Sequence, residues 1–447
     1  MSLFNNQRLD NSTFKLDLDR LRRGWYSDKY FTNIAAMLTH LTNEGYTYAG
    51  SRPRLPEGIS SAGIACGDIM VEMQWFTRRP GTTVIVGIDK ALTILKEATG
   101  YFEDDKFINT AHNLEVWAVQ DGATVKYGGD IHNIQPVMRV RGRYRDFAIL
   151  ETSTLGILAR SSRVATNVYE ALVASKGKQM LFFPARFDVD EVQAADGYAY
   201  QIAVQRYNYD YASSLDSQVS TDAQGDWWNG SGGGTISHSA VASFLGDTSE
   251  VMLNFARVLP ASIPRIALVD FTNDSVGVSL QVCQAMFSEW LKLTQAGDNE
   301  QAKRFILNGV RLDTGSNMRD ASVTPLGDPA LDLGVNPRLV FKVREALDSA
   351  AENWDVPEEY RQAARDYCRS VRIVVSGGFN PEKIAKFEKL QVPVDTYAVG
   401  SYFFDNHGCT NTDFTADVVR VKLGNKWVNM AKVGRQPADN PDLIRVW

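Results

Sequence analysis

Short apolar runs rich in β-branched residues alternate with amphipathic stretches through the second half of the chain. The apolar runs are QMLFF (179–183), RIALVD (265–270), NGVRLD (308–313), VRIVV (371–375) and DTYAV (395–399). Apolar residues at helical spacing fill three of the intervals, in VGVSLQVCQAMFSEWLKL, PRLVFKVREALDSAAENW and PEKIAKFEKL. Buried parallel strands that alternate with amphipathic helices are typical of an α/β barrel or of a doubly wound sheet.

The first part of the chain, up to about residue 138, also predicts helices and strands, but they do not alternate in the same regular way. YFTNIAAMLTHLTNEG predicts a helix that ends at Gly45, and TTVIVGID (82–89) predicts a strand leading into a helix in KALTILKEATG. LEVWAVQDGATVKYG predicts a β-hairpin with Asp121 and Gly122 at its turn. From residue 148, AILETSTLGILARSSRVATNVYEALVAS predicts a long helix that ends at Gly177.

Composition narrows the class of protein. A chain of 447 residues is about twice what one compact core needs, so we expect two domains or one barrel with additions. The net charge of −6, without a dense Lys/Arg block, argues against nucleic acid or an anionic membrane as a partner. No long apolar stretch and no apolar signal-peptide core are present. The cysteines are far apart and form no CxxC pair, which predicts free thiols in a reducing cytoplasm and argues against a zinc ribbon; they are Cys66, Cys283, Cys368 and Cys409.

Polar residues follow several of the apolar runs, where the active face of an α/β barrel lies. The candidate residues at these strand ends are Phe183, Arg186, Asp270, Arg311 and Asp313. Arg311 and Asp313 share one face of a strand because they are two positions apart. The pair predicts either a site for a sugar diol and a pyrophosphate or a salt bridge that closes the barrel mouth.

Glycine-containing loops follow the last two predicted strands. Their residues are Ser376, Gly377 and Gly378 in VVSGGFN, and Gly400 and Ser401 in AVGSYF. In the first loop, Asn380 is placed as a helix N-cap and Pro381 as the first helical residue, which exposes backbone N–H groups beside the helix dipole. Glycine lets a phosphate approach the backbone closely. The two loops predict a phosphate site, the alternative being two ordinary strand-to-helix turns.

A third glycine-rich segment, GSGGGTISHSAVASF (230–244), places His238 just before an apolar helical run. The segment 206–235 is rich in Gly, Ser and Asp and is too long for an ordinary connection between two elements, so we expect a functional or a disordered loop there. Within STDAQGDWWNG (220–230), Asp222 and the Trp227–Trp228 pair predict either a lid over a ligand or an apolar patch that holds the loop down.

These segments together resemble a known family. RYRDFAILETSTLGILARSSRVAT, FFPAR, GTISHS, GVRLD, VSGGF and YAVGS, with YSDKYF (26–31) before them, are similar in order and spacing to the nicotinate phosphoribosyltransferases. These are type II phosphoribosyltransferases, related to the nicotinamide and quinolinate enzymes. The resemblance implies an α/β fold with an N-terminal α/β sandwich domain (1–138), an irregular TIM-like barrel (139–423) and a C-terminal segment that returns to the first domain (424–447).

The resemblance also implies a reaction and its partners. The family transfers a phosphoribosyl group from phosphoribosyl pyrophosphate to nicotinate, giving nicotinate mononucleotide and pyrophosphate, with Mg²⁺ and coupled ATP hydrolysis. It works as a homodimer with shared active sites. Phe183 resembles the aromatic residue that stacks on the pyridine ring, and Tyr30 of the partner subunit would cover the other face. Arg186 resembles the residue that orients the base. Asp313 resembles the acid that holds the ribose hydroxyls, with Arg311 beside it, and the two glycine loops resemble the 5′-phosphate cradle.

Further residues are implied for the phosphates and for base choice. Arg78, Arg79 and Lys432 resemble cross-subunit phosphate contacts, and His238 resembles the histidine that the family phosphorylates from ATP. Asp222 close to the pyridine substituent would repel a carboxylate and accept a hydrogen bond from an amide. We expect nicotinate to be preferred because Arg186 can balance its carboxylate. The sequence has Thr314-Gly315-Ser316 where the family often has Ser-Gly-Asp, so the metal ligands stay unassigned.

Alternative functions use the same phosphate loops. One alternative is a nicotinamide phosphoribosyltransferase. Another is a sugar-phosphate lyase or isomerase on a TIM-like barrel, which would need a Lys or Glu base on an inner strand, and the sequence shows no convincing one. A non-catalytic binding barrel is disfavoured by the number of polar residues at the strand ends.

Overall fold

A computed structural model describes residues 3–5 and 7–447. The strands, numbered along the chain, are β1 (Met70–Thr77), β2 (Gly81–Val84), β3 (Gly100–Glu103), β4 (Lys106–Asn109), β5 (Glu115–Ala118), β6 (Thr124–Tyr127), β7 (Met138–Arg143), β8 (Gln179–Phe182), β9 (Gln218–Val219), β10 (Ile266–Leu268), β11 (Gly309–Leu312), β12 (Arg372–Val375), β13 (Thr396–Val399), β14 (Phe414–Leu423), β15 (Lys426–Asn429) and β16 (Ile444–Arg445). The α-helices are α1 (Asn11–Phe14), α2 (Leu18–Arg22), α3 (Lys29–Asn43), α4 (Ile88–Ala98), α5 (Tyr144–Phe147), α6 (Glu151–Ala174), α7 (Gln193–Tyr211), α8 (Asp222–Gly225), α9 (His238–Ser243), α10 (Thr248–Val258), α11 (Ser275–Gln295), α12 (Asn299–Ala302), α13 (Pro329–Asp332), α14 (Pro337–Ser349), α15 (Arg361–Ser370) and α16 (Pro381–Lys389).

The chain divides into two compact units. The first unit contains the chain up to Tyr169, Tyr198–Asp210 and Asp405–Trp447, and the second contains Glu170–Gly197 and Tyr211–Phe404. This division differs from the predicted boundaries at residues 138 and 423. The first part of α6 is tied to the first unit by side-chain hydrogen bonds, because Thr166 Oγ1 accepts from the amide of Val84 at 3.0 Å and Ser162 Oγ from that of Val86 at 3.1 Å.

The first unit is built on a six-stranded antiparallel sheet in the order β15-β14-β1-β7-β5-β16. Alternate residues of β1, among them Met73 and Trp75, are buried in a core that also contains Leu95 of α4. On the opposite face, the buried carboxylate of Glu72 pairs with Arg141 and Arg420, each at 2.6 Å. The strands after residue 413 complete the sheet, so the C-terminal segment is an integral part of this unit.

The predicted hairpin at Asp121 and Gly122 is wrong, although the turn itself is present. β5 pairs with β7 and β16, whereas β6 pairs with β2. The turn is held by its surroundings, because the buried carboxylate of Asp121 accepts a hydrogen bond from the amide of Ile88 at the start of α4, at 2.9 Å. The two strands therefore leave the turn for different sheets.

The second unit contains a parallel sheet in the order β10-β11-β12-β13-β8-β9. Its inner strands are buried, as predicted, and α11, α14 and α16 occupy the predicted helical stretches. Within the described residues, the strand hydrogen bonds do not close between β9 and β10, so the sheet is a half-barrel. The α/β prediction is confirmed.

Residues 206–235 contain more regular structure than predicted. The helix α7 continues to Tyr211, and β9 and α8 follow it. The Gly/Ser/Asp composition predicted a loop, but hydrogen bonds to the edge of the sheet organise this segment. Pairing with β8 places β9 at that edge.

The cysteines are free thiols, as predicted. Cys283 and Cys368, which are far apart in sequence, lie with their sulfur atoms 3.8 Å apart in the core of the second unit. Among the described helices, none combines the length and the apolar character that a membrane span requires.

Candidate functional site

A cavity of about 860 Å³ lies at the carboxyl ends of the parallel strands in the second unit. Segments that follow β8, β9, β11, β12 and β13 line it, because parallel strands end at the same edge of their sheet. The cavity brings together these residues predicted from the sequence: Phe183, Arg186, His238, Arg311, Asp313, Ser376, Gly377, Gly378, Gly400 and Ser401.

Arg311, Asp313 and Ser376 form a closed set of hydrogen bonds in this cavity. Arg311 Nη2 donates to Asp313 Oδ2 at 2.8 Å, and Arg311 Nε donates to Ser376 Oγ at 3.1 Å. Ser376 Oγ donates to Asp313 Oδ1 at 2.7 Å. The guanidinium carbon of Arg311 also lies 5.4 Å from the ring centroid of Phe183. The predicted pair is thus a salt bridge whose members still face the cavity, with one cation and one anion held in place before any ligand arrives.

The Ser-Gly-Gly loop leads into a helix that begins as the sequence predicted. Gly377 has a φ of +93° and Gly378 a φ of +65°, values that L side chains rarely adopt. Within the described chain, their amide N–H groups have no hydrogen-bond partner. Asn380 caps α16, because its side chain accepts from the amide of Lys383 at 2.9 Å, and Pro381 is the first helical residue. Free amides beside a helix N-terminus suit an anion such as a phosphate.

Gly400, in the second glycine loop, lets the ring of Phe187 come close to the backbone of the loop. A Cβ at Gly400 would lie 2.7 Å from a ring carbon of Phe187. The absence of a side chain here lets the aromatic ring pack directly against the loop.

His238 is the first residue of α9 and is paired with Asp270. His238 Nε2 lies 3.0 Å from Asp270 Oδ1, with the histidine half-exposed and the carboxylate nearly buried. Burial raises the pKa of Asp270, and the adjacent His238 opposes this rise. When the ionised carboxylate accepts from Nε2–H, Nδ1 is the ring nitrogen left with a lone pair.

The glycine-rich segment before His238 is anchored to the edge of the sheet. Gly232 forms a parallel β-bridge with Val219, and the amide of Gly233 donates to the carbonyl of Val219 at 2.7 Å. Asp222 Oδ1 accepts from the amide of Gly232 at 2.8 Å. Asp222 is not among the residues that line the cavity, so its carboxylate organises the loop instead of facing the predicted base site.

The tryptophan pair holds this region in place. Trp227 is buried, and Trp228 Nε1 donates to the carbonyl of Gln224 at 2.8 Å. This arrangement favours the apolar patch over the ligand lid.

Known proteins are similar to this chain in sequence and in fold. Residues 59–162 match the family model for the N-terminal domain of quinolinate phosphoribosyl transferase. Over 308 residues, which are 65% of this chain and 50% of the relative, the chain is 26% identical to nicotinate phosphoribosyltransferase 2 of Arabidopsis thaliana. The chain is thus similar in sequence to the quinolinate and nicotinate phosphoribosyltransferases. It spans about half the length of the Arabidopsis relative.

Two solved structures are similar to this chain in fold. Nicotinate-nucleotide pyrophosphorylase from Pyrococcus furiosus has a TM-score of 0.63 and 22% identity, over 94% of this chain and 80% of that one. Human nicotinic acid phosphoribosyltransferase has a TM-score of 0.53 and 16% identity, over 88% of this chain and 74% of that one.

Metal binding in this cavity would depend on the substrate. Among residues 3–5 and 7–447, no group of three or more His, Cys, Asp or Glu side chains is arranged to hold a metal ion. Mg²⁺ commonly binds through one or two carboxylates together with substrate phosphates. Asp270 and Asp313 fit that role, since they lie close enough for the charge of Asp313 to raise the pKa of Asp270 further.

The residues predicted to serve the partner subunit all belong to the first unit. Tyr30 is exposed, and its hydroxyl donates to Asp28 Oδ2 at 3.1 Å, while Arg78 and Lys432 are exposed as well. Arg79 does not agree with the prediction of a phosphate contact. It is buried, and its Nη1 donates to Thr412 Oγ1 at 3.0 Å and to a backbone carbonyl. The cross-subunit role of the other three stays a prediction.

Sequence reasoning missed other residues at this site. Phe187 and Phe379 line the cavity, and Lys383 reaches the Ser-Gly-Gly loop from α16. Phe379 directly follows the glycine pair and Phe187 directly follows Arg186, so their position beside predicted residues was the available signal. Lys383 carried no signal in the sequence, because a lysine on the first turn of an amphipathic helix is ordinary.

Proposed function

We propose that this chain transfers the phosphoribosyl group of phosphoribosyl pyrophosphate to nicotinate, giving nicotinate mononucleotide and pyrophosphate, with coupled ATP hydrolysis. The observation that carries the proposal is the Arg311–Asp313–Ser376 set in one cavity with two glycine loops and an aromatic face. The name of the Arabidopsis relative, a nicotinate phosphoribosyltransferase, supports the same reaction.

The charges of the site suit cleavage of a ribosyl C–O bond. That cleavage develops positive charge on the sugar and negative charge on the departing pyrophosphate, so prepositioned charges do most of the catalysis. Asp313 accepts hydrogen bonds from the ribose hydroxyls, and Arg311 offers its cation beside them. The free amides of Gly377 and Gly378 bind the 5′-phosphate. Bound Mg²⁺ would shield the pyrophosphate.

The same cavity offers a place for the pyridine base. Phe183 supplies a ring for offset stacking, worth about 0.5–1.5 kcal/mol beyond burial. Arg186 lines the cavity and can balance a carboxylate. Asp222, the acid that would repel nicotinate, binds a loop amide and is not a lining residue. These positions favour nicotinate over nicotinamide.

ATP would act through His238. The Nδ1 lone pair attacks the γ-phosphorus, the bond from that phosphorus to the bridging oxygen breaks, and ADP leaves. Asp270 accepts from Nε2–H, which holds the ring in the required tautomer and stabilises the positive charge that develops on it. Water would later cleave the bond between Nδ1 and phosphorus, which releases phosphate and restores the free imidazole. ATP hydrolysis is then complete and accompanies a transfer that can also proceed slowly without it.

The alternative of a sugar-phosphate lyase or isomerase finds no support in the cavity. Such an enzyme needs a Lys or Glu base, and among the described residues neither type lines the cavity. A phosphoribosyl transfer needs no such base.

Release of pyrophosphate tests the proposal. The chain is mixed with phosphoribosyl pyrophosphate, Mg²⁺ and either nicotinate, nicotinamide or quinolinate, with and without ATP. We expect the highest kcat/KM with nicotinate and a gain on addition of ATP, while Asp313→Asn abolishes turnover. A higher kcat/KM for nicotinamide overturns the base assignment, and no pyrophosphate with any of the three bases overturns the reaction.

A further inference from the structure

Lys383 lies on the first turn of α16 and reaches back over the Ser-Gly-Gly loop. Its Nζ donates to the carbonyl oxygen of Gly377 at 3.0 Å and lies 4.1 Å from the ring centroid of Phe379. Both partners line the cavity. The Nζ of Lys383 is therefore held against the loop that carries the two amides without a partner in the described chain.

The hydrogen bond to Gly377 fixes one peptide plane. Gly377 and Gly378 have left-handed backbones and no side chains, so the peptide between them can rotate at little cost. In a trans peptide, the C=O of one residue and the N–H of the next point in opposite directions. A donor on the Gly377 carbonyl therefore turns the Gly378 N–H away from Lys383, and this amide has no partner in the described chain.

The surroundings of Lys383 destabilise its charged form when no anion is nearby. Burial lowers the pKa of Lys383 to about 8, and the positive charge of Lys386 contributes to this shift. The Phe379 ring and a single carbonyl only partly replace the water that an ammonium group loses. A phosphate in the loop would supply the missing negative charge.

We propose that Lys383 is a positioning residue for the 5′-phosphate, because it orients the Gly378 amide toward the phosphate and places a positive charge behind the loop. The proposal rests on the proposed function, since the phosphate in question belongs to phosphoribosyl pyrophosphate. Lys383 acts through the loop and takes no part in the bond cleavage.

Calorimetric titration with ribose 5-phosphate tests this role without turnover. Lys383→Met removes both the donor and the charge, and Lys383→Arg keeps both. Lys386→Met is the matched control, because it removes a charge from the next turn of α16 without a contact to the loop. We expect Lys383→Met to weaken binding roughly tenfold, as loss of one charged hydrogen bond would, and the other two variants to stay within about threefold of the wild type.

Kinetics separate this role from a general structural role. Lys383→Met should raise the KM for phosphoribosyl pyrophosphate roughly tenfold and change kcat by less than about threefold. If Lys383→Met does not fold, Lys383→Ala is used in its place. If Lys383→Met and Lys383→Ala bind ribose 5-phosphate with wild-type affinity, or if Lys386→Met loses as much affinity, the role of Lys383 is overturned and the proposed function is not. Failure of the wild type to bind ribose 5-phosphate overturns both this role and the proposed function.

Discussion

Replacement of Ser376 by alanine removes the hydroxyl that joins Arg311 to Asp313. Ser376 Oγ accepts from Arg311 Nε at 3.1 Å and donates to Asp313 Oδ1 at 2.7 Å. The direct contact of Arg311 Nη2 with Asp313 Oδ2 at 2.8 Å remains in the variant. The two charged groups therefore stay together, but the second oxygen of Asp313 and the Nε of Arg311 each lose a partner.

The size of the effect follows from these contacts. A hydrogen bond to a charged group contributes about 1.5–3 kcal/mol. Because the side chains of Arg311 and Asp313 are 21% and 20% exposed, water can replace one of the two lost bonds. The net loss is then close to that of one bond. If that loss destabilises the transition state, in which Asp313 would hold the ribose hydroxyls as proposed, kcat/KM should fall roughly 10- to 100-fold.

The assay measures pyrophosphate release at subsaturating phosphoribosyl pyrophosphate, with thermal unfolding to check the fold. Ser370→Ala is the matched control, because Ser370 Oγ donates at 2.8 Å only to the carbonyl of Tyr367 on its own helix. We expect Ser370→Ala to keep the wild-type kcat/KM. The reasoning is refuted if a folded Ser376→Ala protein retains kcat/KM within about threefold of the wild type, since Asp313 would then need no orienting hydroxyl.

Three other predictions concern ATP coupling, shared sites and the pH dependence of stability. His238→Ala should abolish ATP hydrolysis and the gain in rate from ATP, while slow phosphoribosyl transfer persists. In the wild type, γ-labelled ATP should leave an acid-labile label on the peptide that contains His238. ATP hydrolysis at the wild-type rate in the variant contradicts this role. Mixing inactive Asp313→Ala and Tyr30→Ala chains should restore activity through hybrid dimers, and no recovery despite proven subunit exchange counts against shared sites. Burial, with the charge of Asp89 next, raises the pKa of Asp121 to about 7. The folded state thus binds the proton more tightly than the unfolded chain, and stability falls as pH rises from about 4 to about 7. Asp121→Asn should therefore raise the free energy of unfolding in urea by on the order of 1–3 kcal/mol at pH 8 and have little effect at pH 4, whereas an equal gain at both pH values contradicts the assignment.

Much of the second unit could be predicted because its pattern is local. Each buried strand is a short β-branched run, and each following helix shows its own apolar spacing. The residues directly after these runs meet at one edge because the strands are parallel. That rule was sufficient to place Phe183, Arg311 and Gly377 in one cavity.

Other features depended on contacts between distant segments. The Asp-Gly turn was local and real, but its strands pair with β2 and with β7 and β16, which no turn residue can specify. His238 and Asp270 were both candidates, yet only the fold brings them to 3.0 Å. The buried position of Arg79 likewise follows from its contacts with residues beyond 400, which complete the first unit.

The sequence by itself determined the α/β class, the order of the two glycine loops and the identity of most candidate residues. These properties arise from neighbours within a few positions, where side-chain periodicity and backbone preference act directly. Tertiary structure alone decided that Asp222 secures a loop, that Ser376 joins Arg311 to Asp313, and that Lys383 holds the Gly377 carbonyl. Hydrogen bonds of this kind join atoms that only the folded chain brings within about 3 Å, and local preference carries no information about them.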